Sequence, residues 1–179
     1  MRASRSIRAM GFPTLETERL RLRPWQPEDV ELFARLYADP EVTRYLGDAS
    51  TLDRAQTWRT VAMAIGHWHL RGYGQWVAVV KESGTAIGRV GLYNPEGWPG
   101  LEVGWVIDPA FQRRGYASEG ARTALRYAFE VVGADHVISL IRPANAASIR
   151  VAEKLGGRLE RTVDLNGTLS VYGYDAPPA

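Results

Sequence analysis

Two guanidinium groups and a glycine stand in line at Gln112-Arg113-Arg114-Gly115-Tyr116-Ala117, directly ahead of a run with helical apolar spacing. The apolar residues of that run, Ala117, Ala121, Ala124, Leu125, Ala128, Phe129 and Val132, recur at three- and four-residue intervals and line one face. The first amides of a helix have no partner within it, and their dipoles present a partial positive charge. Gly115 allows close backbone approach to a ligand, and arginine suits a phosphate. Together with Ser118 in the first helical turn, the loop reads as a cradle for an anion, and specifically a diphosphate. The competing reading is an ordinary strand-to-helix turn with solvated arginines, which a single glycine loop does not exclude. The loop lacks the Gly-Lys-Ser/Thr ending of a P-loop and the G-x-G-x-x-G of a dinucleotide fold, so those two nucleotide sites are disfavoured.

Two further groups could act on a bound ligand. Glu102 is a carboxylate on the otherwise apolar strand Leu101 to Ile107, which leads into the loop. A carboxylate there is a candidate general base, acting directly or through water, or else an outward-facing, solvated or salt-bridged side chain. Asn145 and Ser148 lie three apart at a helix start, so their side chains can share one face. Glu119 sits in the first turn of the central helix, where the dipole and capping account for it, so it is left out of catalysis.

The elements that must hold these residues follow from period and punctuation. Leu20, Leu22 and Trp25 alternate with Arg19, Arg21 and Arg23 as a half-buried strand with a charged, solvated face. Pro27 opens a helix through Val30, Phe33, Ala34 and Tyr37, which Asp39-Pro40 ends before a short helical turn through Val42, Tyr45 and Leu46. Thr51 to Leu70 reads as a second long helix closing before Gly72. Gln75 to Lys81, Ala86 to Tyr93 and Leu101 to Ile107 are three strands with short links, as in an antiparallel meander. His136 to Ile141 is a strand, Asn145 to Leu155 a helix that Asn145 can cap, and Leu159 to Val163 with Leu169 to Tyr174 a hairpin across Asn166-Gly167. The expected fold class is α/β (α+β): a mixed, largely antiparallel sheet with helices on both sides. Residues 1–12 are expected to be a flexible tail and 13–179 one domain.

Composition removes several function classes. With no cysteine among 179 residues, a disulfide framework, a thiolate zinc site and a cysteine nucleophile are all excluded. His67 and His69 lack clustered partners, so no metal is expected and both are read as structural. A net charge of +2, with scattered arginines, does not suit a nucleic-acid partner. No apolar run is long enough to span a bilayer and no signal-peptide pattern is evident, so no membrane partner and a cytoplasmic location are expected. Monomer and homodimer are both left open.

Gln112, Gly115 and Ala117 match the Gln/Arg-x-x-Gly-x-Gly/Ala coenzyme loop of the GNAT superfamily of acyl-CoA-dependent N-acetyltransferases, which the chain resembles from Leu15 to about Tyr174. Thr17-Glu18-Arg19-Leu20-Arg21-Leu22-Arg23-Pro24-Trp25, Glu102-Val103-Gly104-Trp105, Asn145-x-x-Ser148 and Lys154-Leu155-Gly156 look like its Rim branch, the ribosomal-protein alanine acetyltransferases. The resemblance implies acetyl-CoA as acyl donor and an amine as acceptor, either a protein N-terminus or a small molecule. It implies that Trp105, Val106 and Ile107 bind the pantetheine arm, with the amide of Val106 polarising the thioester. It implies that Gln112, Arg113, Arg114, Gly115, Tyr116, Ala117 and Ser118 bind the diphosphate, and that Asn145 and Ser148 meet the sulfur. The helical pair before the meander would cover the acceptor, placing Tyr37, Tyr45, Trp58 and Trp68 as aromatics that touch it or pack the core. Many GNAT enzymes carry a tyrosine acid where this chain has Ala152, which leaves Ser148 as the candidate acid, and Gly157 replaces the usual aromatic after Lys-Leu-Gly. A non-catalytic acyl-CoA sensor is the alternative function that the missing tyrosine suggests.

Overall fold

The computed structural model describes residues 12–177. Phe12, which the sequence assigns to the tail, stacks on Trp68 with ring centroids 5.0 Å apart, and the rest of that expected tail lies outside the described residues. Eight strands form one sheet in the order β1-β2-β3-β4-β5-β6-β8-β7. They are β1 (Leu15–Glu16), β2 (Leu20–Arg23), β3 (Gln75–Val80), β4 (Ala86–Tyr93), β5 (Glu102–Ile107), β6 (His136–Ile141), β7 (Arg158–Asp164) and β8 (Thr168–Asp175). The short links make β3, β4 and β5 the expected antiparallel meander. β5 and β6, joined through a helix, run parallel.

Helices cover both faces, as the fold class requires: α1 (Asp29–Tyr37), α2 (Pro40–Thr43), α3 (Arg54–Arg71), α4 (Tyr116–Tyr127) and α5 (Ala146–Lys154). Alternation along β3 separates the two cores. Trp76, Ala78 and Val80 face Ala121, Ala124 and Leu125 of α4, whereas Val77 and Val79 face Phe33 and Leu36 of α1 and Val61 and Ala64 of α3. Each large side chain buried there contributes about 1.5–3 kcal/mol. α4 approaches the sheet closely because Gly120 has no side chain: a Cβ there would lie 3.1 Å from Val90 Cγ2. The residues Ala128–Val132, expected to continue α4, wind instead as a π-helical turn that ends at Gly133.

Local chemistry sets the helix ends. α3 starts with a capping box in which Asp53 accepts from the Gln56 amide at 2.7 Å and the Gln56 side chain accepts from the Asp53 amide at 2.8 Å. Asp39 caps α2, with Pro40 at its first turn. Arg19 and Arg21 lie on the solvated face that alternation suggests, but Arg23 does not. Arg23 donates twice to Asp29, at 2.7 and 2.8 Å, and Asp29 is 3% exposed. Arg21 pairs with Glu16 and Arg19 with Glu119. Alternation reports the face a residue takes but not the partner that a distant segment brings to it. No helix among the described residues is long and apolar enough to cross a membrane.

Candidate active site

β5 and β6 share one register pair, Glu102 with Ile138, and then diverge. In a continuing parallel ladder the Leu140 amide would donate to the Val103 carbonyl. Here a side chain takes the carbonyl. Ser139 Oγ donates to the Val103 carbonyl at 2.7 Å, and the Leu140 amide is drawn to the Glu102 carboxylate. Beyond this point the β6-facing edge of β5 is open, and the gap leads into a cleft of about 980 Å³. Tyr174 holds the wedge from behind: its hydroxyl lies 3.1 Å from Ser139 Oγ, and burial pushes its pKa up to about 12, so it remains a phenol.

The direction of the free amides follows from parity. The carbonyls of Leu101 and Val103 point towards β6, while the Asp108 amide donates to the Ile87 carbonyl beside β4. Odd-numbered residues of β5 therefore present their amides to the opening and even-numbered ones to β4. The amide of Val106, assigned from sequence to the thioester, is turned towards β4 in register with Arg89, and that of Trp105 takes its place at the opening.

At the far end of β5, Asp108 caps a 3-10 turn, accepting from the Ala110 amide at 3.0 Å and from Arg35 Nη2 at 2.6 Å. Gln112 Nε2 donates to the Ile107 carbonyl at 2.9 Å, which ties the loop to the strand. Gly115 begins α4 at φ +83°, a left-handed conformation that glycine adopts without steric cost, and no side chain caps the helix there. The first amides of α4 are thus uncapped by side chains, as an anion site requires. A Cβ on Gly115 would also lie 3.2 Å from Arg19 Nη2. Arg113 is exposed and lines the cleft, but Arg114 turns away to lie over the Phe111 ring and donate to the Ala110 carbonyl at 3.2 Å. Asn145 caps α5 by accepting from the Ser148 amide at 3.1 Å, and both residues line the cleft.

Glu102 stands where the two strands part, half-buried, with Oε2 accepting from Trp98 Nε1 at 2.8 Å. Burial raises its pKa to about 7, while the Trp98 hydrogen bond, the positive charge of Arg89 and the Leu140 amide pull it down. The Asn94–Gly100 loop that carries Trp98 is anchored by His67, which accepts from the Asn94 amide at 2.9 Å and donates from Nδ1 to the Tyr73 carbonyl at 2.9 Å. Burial lowers the pKa of His67, and Arg71 adds to the effect. This histidine is therefore a neutral strut.

Of the four aromatics expected over the acceptor, Tyr37 and Tyr45 line the cleft. Trp68 is buried in the core at 2% exposure, and Trp58 faces outward at 60%. Glu119 makes a clamp, with Oε1 accepting from Thr17 Oγ1 at 2.5 Å and from the Arg19 amide at 2.7 Å. The sequence reading missed Arg89, Trp98 and Ser139. An arginine within an apolar strand between two glycines was the available signal for the first of these.

The chain that carries an uncapped glycine-led helix start, a split between parallel strands and a half-buried carboxylate beside it has relatives among known proteins. The acetyltransferase (GNAT) domain family matches residues 19–158. The chain belongs to the GNAT acetyltransferase family. It is 35% identical over 167 residues to the YkkB protein of Bacillus subtilis, covering 88% of this chain and 93% of that one. An acetyltransferase structure from Agrobacterium tumefaciens superposes with a TM-score of 0.84 at 31% identity, covering 97% of this chain and all of that one. The ribosomal-protein acetyltransferase RimL, solved in complex with coenzyme A, shares the fold with a TM-score of 0.76 at 19% identity, covering 91% of this chain and 98% of that one. GNAT enzymes use acetyl-CoA as acetyl donor, and the uncapped α4 start and the open edge of β5 fit a diphosphate and an amide-bearing arm.

Proposed function

We propose that this GNAT protein is an N-acetyltransferase that moves the acetyl group of acetyl-CoA to a primary amine by direct attack in a ternary complex, with Glu102 as base. The observation that carries the reading is the Glu102 carboxylate, with its pKa near 7, at the point where β5 and β6 part. A base poised near neutral pH is about half ionised there and holds a proton taken from an amine better than an ordinary carboxylate does. The amides of α4 and Arg113 hold the diphosphate, Gln112 shapes the loop, and the open edge at Trp105 and Ile107 holds the pantetheine arm. The Trp105 amide polarises the thioester carbonyl and stabilises the oxyanion that forms on it.

The amine nitrogen bonds to the acetyl carbon as Glu102 accepts its proton, and the carbon–sulfur bond then breaks with its electron pair passing to sulfur, which leaves as the thiolate. A thiolate whose acid has a pKa of about 8.5 leaves without full protonation. A hydrogen bond from Ser148 suffices to hold it, so Ala152, buried in the core, removes no indispensable group. Support for an amine acceptor is chemical: the cleft offers a base and no side-chain thiol that would take the acetyl group first.

The test follows from the absence of cysteine, since any thiol released must come from the coenzyme. Acetyl-CoA should raise the melting temperature where ATP and NADH do not, and a panel of peptides, polyamines and aminoglycosides extended with amino acids should include acceptors that release thiol. A rise in melting temperature without thiol release from any amine would overturn the enzymatic reading in favour of an acyl-CoA sensor.

A further inference from the structure

Gly91 of β4 and Gly104 of β5 face each other in the ladder, and on the same face they are flanked by the pair Arg89–Val106 on one side and Tyr93–Glu102 on the other. Two facing glycines leave a strip of bare backbone with a cation at one end and a carboxylate at the other. Arg89 and Glu102 are thereby separated by four residues of strand, about 13 Å at the backbone. Their side chains shorten that gap to the length of a small molecule. Both line the same cleft.

The partners of Arg89 distinguish it from other arginines around the cleft. Of the other arginines that line the cleft, Arg44 pairs with Glu41, Arg142 donates to the Gly47 and Asn166 carbonyls, and Arg113 and Arg150 are exposed to solvent. Arg89 is half-buried and donates from Nε to Tyr37 Oη at 2.8 Å, and among the described residues it forms no salt bridge. Tyr37 is 3% exposed and packed in the core of α1, so it fixes the plane of the guanidinium while leaving the outer donors facing the cleft. A half-buried cation without an anion is costly, and a planar pair of free donors fits a carboxylate in bidentate fashion.

Resting on the acetyltransferase reading above, we propose that the acceptor is a small amino-carboxylate, an amino acid or close analogue, whose carboxylate binds Arg89 while its amine faces Glu102. An ordinary protein N-terminus presents an amide, not a carboxylate, at the matching distance and leaves Arg89 without an anion. The bare backbone at Gly104, which lines the cleft, admits the carbon skeleton between the two groups.

Thiol release by the full chain from acetyl-CoA, measured on matched sets of acceptors, tests the proposal. Each set comprises a free amino acid, its carboxamide, its methyl ester and the corresponding decarboxylated amine, with a short peptide amide alongside. The free acid is expected to exceed its neutral counterparts in kcat/KM by at least about tenfold in one or more sets, chiefly through KM. Esters and amides carry less basic amines, which favours them, so a preference for the acid is not an artefact of amine basicity. Arg89→Gln should reduce that preference at least about tenfold and Arg89→Lys should restore part of it. Gly104→Ala, whose added methyl would lie an ordinary 3.5 Å from Glu102 Oε1, should raise KM for the acids without loss of fold. Neutral amines or the peptide amide matching the free acids in kcat/KM, or an Arg89→Gln enzyme that keeps the preference, would overturn the proposal and leave the N-acetyltransferase reading standing. Absence of turnover with every amine would overturn both.

Discussion

At the glycine-loop end of the cleft the groups open to a ligand are backbone amides on one contiguous stretch, Gln112 to Ser118, joined by the Arg113 side chain, whereas at the other end they are side chains drawn from α1, β4, β5 and the loop at Trp98. Two glutamates beside these ends show what that difference does. Glu119, beside the loop, is clamped by Thr17 and Arg19; its pKa is lowered, because those bonds outweigh the burial that alone would raise it. Glu102, at the acceptor end, has one indole donor, and burial dominates. The same side chain is thus a structural tie in one environment and a carboxylate poised near neutrality in the other. The glycine-loop end is built from local chain, and the other end is assembled from distant elements.

Breaking the backbone end should have the largest effect. Gly115→Val forces a β-branched residue into a left-handed conformation and against Arg19, and should weaken acetyl-CoA binding by more than about 100-fold, read as loss of the acetyl-CoA-dependent rise in melting temperature. Glu102→Gln should lower kcat by roughly 100-fold or more while that rise is retained.

The same substitution should stabilise the protein. The folded-state pKa of Glu102 lies above the ordinary value of 4.5, so its contribution to stability is present below that value and is lost as pH rises through about 7. Glu102→Gln should therefore melt a few degrees higher than the parent at pH 8 and about equally at pH 4. Glu119→Gln should do the reverse: it should cost about 1–3 kcal/mol near neutral pH, with a smaller difference in acid as the native carboxylate is protonated, and leave the shape of the pH–rate profile unchanged. Trp98→Phe is the finest adjustment. Removing a donor to the charged form should move the midpoint of the rate profile upward from about 7, by on the order of half a unit.

This contrast also explains how much could be read from the residues alone. Gln112 to Ala117 and the helix after it were legible because a glycine at a helix start and a three-to-four period are local, and so were the strands of the meander with their short links. The acceptor end was not, because its geometry depends on register. Nothing near Arg89 in the chain indicates that Gly91 will face Gly104, or that Tyr37 will meet its guanidinium. Trp98 sat in a stretch marked only as a turn, although its indole reaches Glu102. The split itself is set by Ser139 and Glu102 across a parallel pair more than thirty residues apart, and the same register turns the Val106 amide away and the Trp105 amide inward. Arg23 read as a solvated residue because its partner, Asp29, lies in the next element.

The most direct test of the account is the pH dependence of thiol release for the parent and for Glu102→Gln, measured with one good acceptor at saturating acetyl-CoA. The account predicts that the parent rate rises through a midpoint near 7 to a plateau and that the substituted enzyme is slower and lacks this step. Superimposable profiles, with equal rates, would show that Glu102 takes no proton and that the acceptor end works by another group.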